Sequence, residues 1–81
     1  MLEKEKEVME KYNLEIVKTY TLINNDGIIF KLNNKEYDAR HLRNIYGAEV
    51  DYYEITPLNE YKPTEEEKKT LEAIKKDLNE A

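Results

Sequence analysis

The stretch LEIVKTYTLINNDGIIFKLN, residues 14 to 33, decides the fold. Leu14 to Ile23 is rich in β-branched and aromatic residues, which is the composition of a strand. The next four residues, Asn-Asn-Asp-Gly at 24–27, tolerate the positive φ angles that a tight turn needs. Ile28 to Leu32 is a second apolar run. The stretch therefore predicts a β-hairpin with Phe30 in the core.

Helices are predicted towards both ends of the chain. Leu2 to Tyr12 has an apolar stripe at helical spacing, although Glu5 falls within the stripe. Thr64 to Glu80 begins with the pattern T-x-x-E, in which Thr64 and Glu67 form a capping box. Both helices have narrow stripes, so each is expected to bury one side only.

The middle of the chain predicts one more helix and one or two more strands. Asn33 and Asn34 signal a second turn, and the sequence leaves open whether Lys35 to Tyr37 adds a short strand. Asp38 to Tyr46 has the pattern of a short helix that Asp38 caps. Ala48 to Ile55 is expected to be a strand, followed by a loop between two prolines. The apolar face of the middle helix would consist of Ala39, Leu42, Ile45 and Tyr46, with Gly47 just after its end.

These elements predict a single α+β domain over residues 1–81. Their order is α-β-β-(β)-α-β-α, in which the strand in parentheses is the optional one. The natural packing is a three- or four-stranded antiparallel sheet with helices on one face. We expect Leu42 to join Phe30 in its core.

Composition excludes several classes of protein. The chain has no cysteine, so neither a disulfide nor a zinc–thiolate site can stabilise it. The N-terminal residues alternate Glu and Lys where a signal peptide would be apolar, and no apolar run is long enough for a membrane span. We therefore expect a cytoplasmic protein that does not bind membranes. The net charge of −5 argues against general binding to nucleic-acid backbones, which needs a positive field.

No residue pattern predicts catalysis or a cofactor. His41 is the single histidine and lacks the cysteine or histidine neighbours of a metal site. We expect it to be a solvent-facing helix residue. Carboxylate pairs are frequent, but 18 acids in 81 residues produce such pairs by chance. The sequence thus predicts a protein that is not an enzyme and that binds no cofactor and no metal.

An acidic segment from Ala48 to Tyr61 is the most distinctive feature of the sequence. It contains four acids and no Lys or Arg, with tyrosines interleaved. Tyrosine provides contact area at low entropic cost, and spaced carboxylates can stand in for phosphates before a basic groove. The alternative is a strand with a solvated acidic face. The residues predicted to bind a partner are Glu49, Asp51, Tyr53, Glu54, Glu60 and Tyr61.

The leading functional prediction is a small acidic inhibitor that binds the basic surface of another protein, such as a nucleic-acid-handling enzyme. In size and charge the chain resembles the small proteins that phages and mobile elements encode against host enzymes, including anti-CRISPRs and DNA mimics. The resemblance implies inhibition by protein–protein contact without direct binding of nucleic acid. It covers no motif and assigns no role to any residue.

Two other functions stay open at this stage. Arg40, His41 and Arg43 on the predicted middle helix would suit a small nucleic-acid-binding or regulatory module. The narrow terminal helices would suit an assembly protein in which helices pair between subunits. Both alternatives, together with the small core, favour a homodimer.

Overall fold

The computed structural model describes residues 1–23, 25–43, 51–60 and 62–80. Over these residues the chain forms two helices and four strands in the order α-β-β-β-β-α. The elements are α1 (Glu3–Lys11), β1 (Glu15–Thr21), β2 (Asn25–Leu32), β3 (Lys35–Arg43), β4 (Asp51–Pro57) and α2 (Glu65–Asn79).

The four strands form one antiparallel sheet in which neighbours along the chain are neighbours in space, in the order β1-β2-β3-β4. β1 and β4 are therefore its edges. The register between β1 and β2 shifts between Ile16 and Lys18, which leaves Val17 as an extra residue in a β-bulge.

The predicted hairpin is confirmed, but its turn comes earlier than the sequence suggested. The backbone N–H of Leu22 donates to the carbonyl oxygen of Asn25 over 2.7 Å, so the chain has reversed by Asn25. Asp26 and Gly27 are already inside β2, where Gly27 lies opposite Tyr20. Gly27 is consequently a strand residue and not a turn residue. Its lack of a side chain leaves room for the ring of Tyr20.

The second turn is confirmed at Asn33 and Asn34. Their φ angles are 53° and 65°, the left-handed values of the type of turn that suits the twist of a hairpin. Leu32 and Lys35 on either side of the turn are paired, so β2 continues directly into β3.

The helix predicted over 38–46 is wrong for the part that the structure describes. Asp38 to Arg43 continues β3, which pairs with β2 on one side and β4 on the other. Pairing on both sides provides a backbone partner along the segment, and that outweighs a helical spacing of only four apolar residues. Leu42, predicted to be core, is only partly buried. The remainder of the prediction, including Ile45, Tyr46 and Gly47, lies outside the described residues.

The core lies between the sheet and the two helices. Every second residue of the central strands points to one face of the sheet. These residues pack there against the apolar stripes of both helices. Phe30 is fully buried, as predicted, and stacks on Tyr37 with 5.7 Å between ring centroids. We call this face of the sheet the helix face. The buried cluster consists of Val8, Met9, Ile28, Phe30, Tyr37, Ala39, Tyr53, Ile74 and Leu78.

α2 is fixed to the sheet at both ends. At its start, Thr64 caps the helix and Glu67 completes the predicted capping box. The carboxylate of Glu67 also accepts hydrogen bonds from the Asn33 amide over 3.1 Å and the Lys35 ammonium over 3.0 Å. At its end, the side-chain amide of Asn79 bonds to both the backbone N–H and the carbonyl of Tyr53 in β4. No helix within the described part of the chain is both long and apolar enough to cross a membrane.

Candidate functional site

The acidic segment lies along the sheet edge formed by β4 and in the loop that follows. The structure describes its residues 51–60, which carry three acids and no cationic side chain. Tyr52 and Leu58 are large side chains that are exposed there, at 41% and 46% of their surface. Exposed aromatic and apolar side chains beside carboxylates are features that protein-binding surfaces share.

The acids of this segment differ in their surroundings. Glu60 is exposed, and its side chain makes no hydrogen bond or ion pair with the described residues. Glu54 is half exposed and lies 3.6 Å from the ammonium of Lys75 in α2. Asp51 is 80% exposed, yet its Oδ1 lies 2.5 Å from Nε2 of His41. That hydrogen bond lowers the pKa of Asp51, so its negative charge is held at acidic pH.

Tyr53 does not belong to the exposed surface. Its ring is 4% exposed and faces α1, and its hydroxyl donates to Oε2 of Glu5 over 2.6 Å. Burial, together with the neighbouring carboxylate of Glu5, raises the pKa of Tyr53 well above its usual range. The adjacent Tyr52 points to the opposite face of the sheet, and its ring is the exposed aromatic group of the segment. Glu49 and Tyr61, the other predicted contact residues, lie outside the described residues.

The three residues predicted for a nucleic-acid-binding helix are on β3 and face in different directions. His41 points to the helix face and is 6% exposed, so the prediction of a solvent-facing position is wrong. Arg40 points to the opposite face, 3.5 Å from Oδ2 of Asp38. Arg43 is half exposed, 3.6 Å from Oδ2 of Asp26. The structure therefore does not present these three cationic side chains together on one face.

A histidine–carboxylate cluster is formed by Glu5, Asp26, His41, Asp51 and Tyr53, of which Asp51 and Tyr53 also belong to the acidic segment. The imidazole of His41 stacks on the ring of Tyr53 with 4.2 Å between centroids and 8° between planes. Besides its contact with Asp51, the ring places Nδ1 3.3 Å from Oδ1 of Asp26 and 3.9 Å from Oε2 of Glu5. Four elements, α1, β2, β3 and β4, thus contribute to one polar site that extends from the buried Glu5, His41 and Tyr53 to the exposed Asp51.

The sequence contained one signal for this cluster. Glu5 falls within the apolar stripe of the first helix, and a carboxylate on a buried stripe requires polar partners inside the protein. The structure provides them, because Glu5 accepts hydrogen bonds from the backbone N–H of Leu2 and from the hydroxyl of Tyr53. Its long-range neighbours Tyr53 and His41 are 48 and 36 positions away along the chain, and no local pattern relates such distant residues.

No arrangement in the described part of the chain brings three or more His, Cys, Asp or Glu side chains into the geometry of a metal site. Comparison of the chain with protein-family models, with curated proteins and with solved structures finds no match.

Proposed function

We propose that this chain is a non-enzymatic binding protein that presents the acidic segment to a basic surface of another protein. The observation that carries the proposal is the composition of residues 51–60, where three acids at least partly in solvent occur with the exposed side chains of Tyr52 and Leu58 and without any cation of the same segment. A nucleic-acid-handling enzyme has the complementary surface, because its groove must neutralise phosphates with Lys and Arg. Inhibition would follow from occupying that groove.

Two kinds of residue in the acidic segment would contribute differently to binding. Glu54 and Glu60 provide charge at the rim, which attracts and orients a basic partner but contributes little affinity once salt screens it. Tyr52 provides an aromatic contact of the type that dominates binding energy when a partner covers it. The proposal therefore expects affinity to depend on Tyr52, and the sensitivity to salt to depend on the acids.

The test is capture of basic proteins from a lysate of the source organism on immobilised protein, followed by elution with salt. We expect a specific partner that is released as the salt concentration approaches about 1 M, where charges are screened beyond about 3 Å. Tyr52→Ala, and the double variant Glu54→Lys with Glu60→Lys, should lose the partner. Glu10→Lys reverses an exposed acid on α1, away from the acidic segment, and should retain it.

Direct binding of nucleic acid is the outcome that would reverse this proposal. Fluorescence anisotropy with labelled DNA and RNA at low salt should show no binding at micromolar protein. Salt-sensitive binding that is lost in Arg40→Ala or Arg43→Ala would instead support the nucleic-acid-binding alternative. If a partner is captured, added duplex DNA should compete with this chain for it, because both would occupy the same basic groove.

A further inference from the structure

We propose that His41 is a proton-dependent switch inside the protein: the doubly protonated ring bridges carboxylates of α1, β2 and β4, and loss of one proton breaks that bridge. The inference does not depend on the acidic segment being a binding surface. It rests on the buried position of the ring and on the groups that face its two nitrogens.

Both ring nitrogens of His41 face negatively charged oxygen atoms. Nε2 is 2.5 Å from Oδ1 of Asp51, within hydrogen-bonding distance. Nδ1 faces Oδ1 of Asp26 at 3.3 Å and Oε2 of Glu5 at 3.9 Å. Nδ1 and Oδ1 of Asp26 are both buried, and neither has a hydrogen-bond partner of good geometry.

The chemistry of imidazole makes this arrangement depend on a proton. A neutral ring has one N–H donor and one lone pair, so one nitrogen would have to direct its lone pair at a carboxylate. The imidazolium ion has two N–H donors and matches carboxylates on both sides. The side chain of His41 is only 8% exposed, so an unmatched ring nitrogen has little direct contact with bulk water.

The other charged groups around the ring leave a negative charge for His41 to balance. Glu5, Asp26 and Asp51 supply three carboxylates, while the cations near them are those of Arg43 and Lys4 among the described residues. Arg43 lies 3.6 Å from Oδ2 of Asp26, and the Lys4 ammonium is 5.8 Å from the centroid of the Tyr53 ring. Tyr53 is neutral and stacks on the imidazole. Against three carboxylates and two side-chain cations, the imidazolium supplies a third positive charge, and the N-terminal residue Met1 also lies beside Glu5 and Asp26.

The consequence of losing the proton falls on α1. Glu5 is the buried polar residue of that helix, and it lies against the ring and the hydroxyl of Tyr53. A neutral ring that repels one of its carboxylates would weaken the attachment of α1 to the sheet and release Asp51 at the start of β4. Proton binding by the ring therefore stabilises the fold, and stability should fall once the pH is high enough to remove that proton.

The direct test is the protonation state of the ring by ¹⁵N NMR. His41 is the only histidine of the chain, so its ring signals need no assignment by mutation. We expect two N–H groups on the ring of the folded protein in acid and a change to one N–H as the pH is raised, together with shifts of the Glu5 and Asp51 backbone amides. A ring that stays neutral, or whose titration leaves both amides unmoved, would overturn the proposal.

The second test is the thermal midpoint as a function of pH in the protein and in Asp51→Asn. The Asn side chain still accepts a hydrogen bond from Nε2 but provides no charge, and the exposed position 51 should tolerate it. The fall of the midpoint with rising pH should be smaller in Asp51→Asn than in the unchanged protein. Glu10→Gln removes an exposed acid of α1 outside the cluster and should keep the full pH dependence. Equal pH profiles for the protein and Asp51→Asn would contradict the switch.

Discussion

Gly27 shows how a single residue sets the arrangement of the sheet face opposite the helices. The ring of Tyr20 lies over this glycine, and its hydroxyl donates to both carboxylate oxygens of Asp38, at 2.9 and 3.0 Å. Asp38 is buried, so its carboxylate depends on the Tyr20 hydroxyl as a hydrogen-bond donor and on the nearby guanidinium of Arg40. The close approach of the ring therefore protects a buried carboxylate.

Gly27→Ala should destabilise the protein although alanine favours strands more than glycine does. A Cβ atom at position 27 would lie 2.4 to 2.6 Å from atoms of the Tyr20 ring, so the ring would have to move and release Asp38. A buried acceptor without its donor costs about 1–3 kcal/mol. Urea denaturation of Gly27→Ala measures this loss.

The matched background for Gly27→Ala is Tyr20→Ala, in which no ring remains to be displaced. In that background the glycine substitution should be neutral or slightly stabilising, so the two changes should be strongly non-additive. Equal costs of Gly27→Ala in both backgrounds would show that the ring is not the cause.

The sequence predicted individual residues of the candidate site unevenly. Charge alone singled out Asp51, Glu54 and Glu60, and the structure places all three at least partly in solvent. Tyr53 was grouped with them because tyrosines in an acidic segment look alike, whereas strand alternation puts Tyr52 outside and Tyr53 inside. The cluster around His41 could not be predicted, since it depends on the register of β2, β3 and β4.

Among the elements, the start of α2 shows how a helix cap can also fix the position of the helix. The backbone N–H of Thr64, the amide of Asn33 and the ammonium of Lys35 all bond to Glu67 and hold its pKa at about 2, against an ordinary value of 4.5. The ionised carboxylate therefore joins the first turn of the helix to the turn between β2 and β3.

Glu67 should contribute stability that depends on pH with a known sign. Because its pKa is lowered on folding, its contribution is complete above pH 4.5 and is lost as the pH falls towards about 2. Glu67→Gln keeps an acceptor for the capping box but has no charge for Lys35. The stability difference between the protein and Glu67→Gln should be largest near neutral pH and shrink in acid. Glu66→Gln, an exposed neighbour, should show little difference at any pH.

The end of α2 protects the β4 edge of the sheet. Asn79 accepts from the Tyr53 N–H over 2.7 Å and donates to the Tyr53 carbonyl over 3.2 Å, which occupies backbone groups that another strand could otherwise pair with. Asn79→Ala should speed hydrogen exchange at the Tyr53 amide roughly fivefold, as expected for the loss of about 1 kcal/mol. Asn59→Ala, in the exposed loop after β4, should leave that amide unchanged.

Elements were predictable from sequence where local chemistry decides them. The Asn33-Asn34 turn and the Thr64 cap are of this kind, since each depends on backbone geometry over a few residues. The optional strand at Lys35 to Tyr37 is the start of β3. Its continuation to Arg43 was missed because the helix-face residues after Tyr37 are Ala39 and His41, of which one is small and the other polar. Strand alternation is invisible when a buried position holds a histidine, and the spacing of Ala39 and Leu42 then imitates a helix.

For the whole molecule, the arrangement of surfaces bears on the oligomeric state. The homodimer was predicted because the helices have narrow apolar stripes that a partner subunit could complete. In the structure these stripes are used within one chain, where Val8, Met9, Ile74 and Leu78 belong to the same core as the sheet. A dimer would therefore need a different surface, and the sheet edges are the obvious alternatives.

Neither edge favours pairing with a second copy. α2 covers part of β4 through Asn79, and β1 carries a bulge at Val17 next to the exposed Lys18, two features that oppose edge-to-edge association. We therefore expect a single monomeric species in sedimentation velocity at micromolar concentration.

The strongest opposing feature is the exposed apolar end of β1, where Ile23 is 97% exposed. If a dimer forms there, Val17→Lys or Ile23→Lys should dissociate it while Leu58→Lys, on the far side of the sheet, should not. A dimer insensitive to all three substitutions would mean that the stripes of the helices are not fully used within the chain.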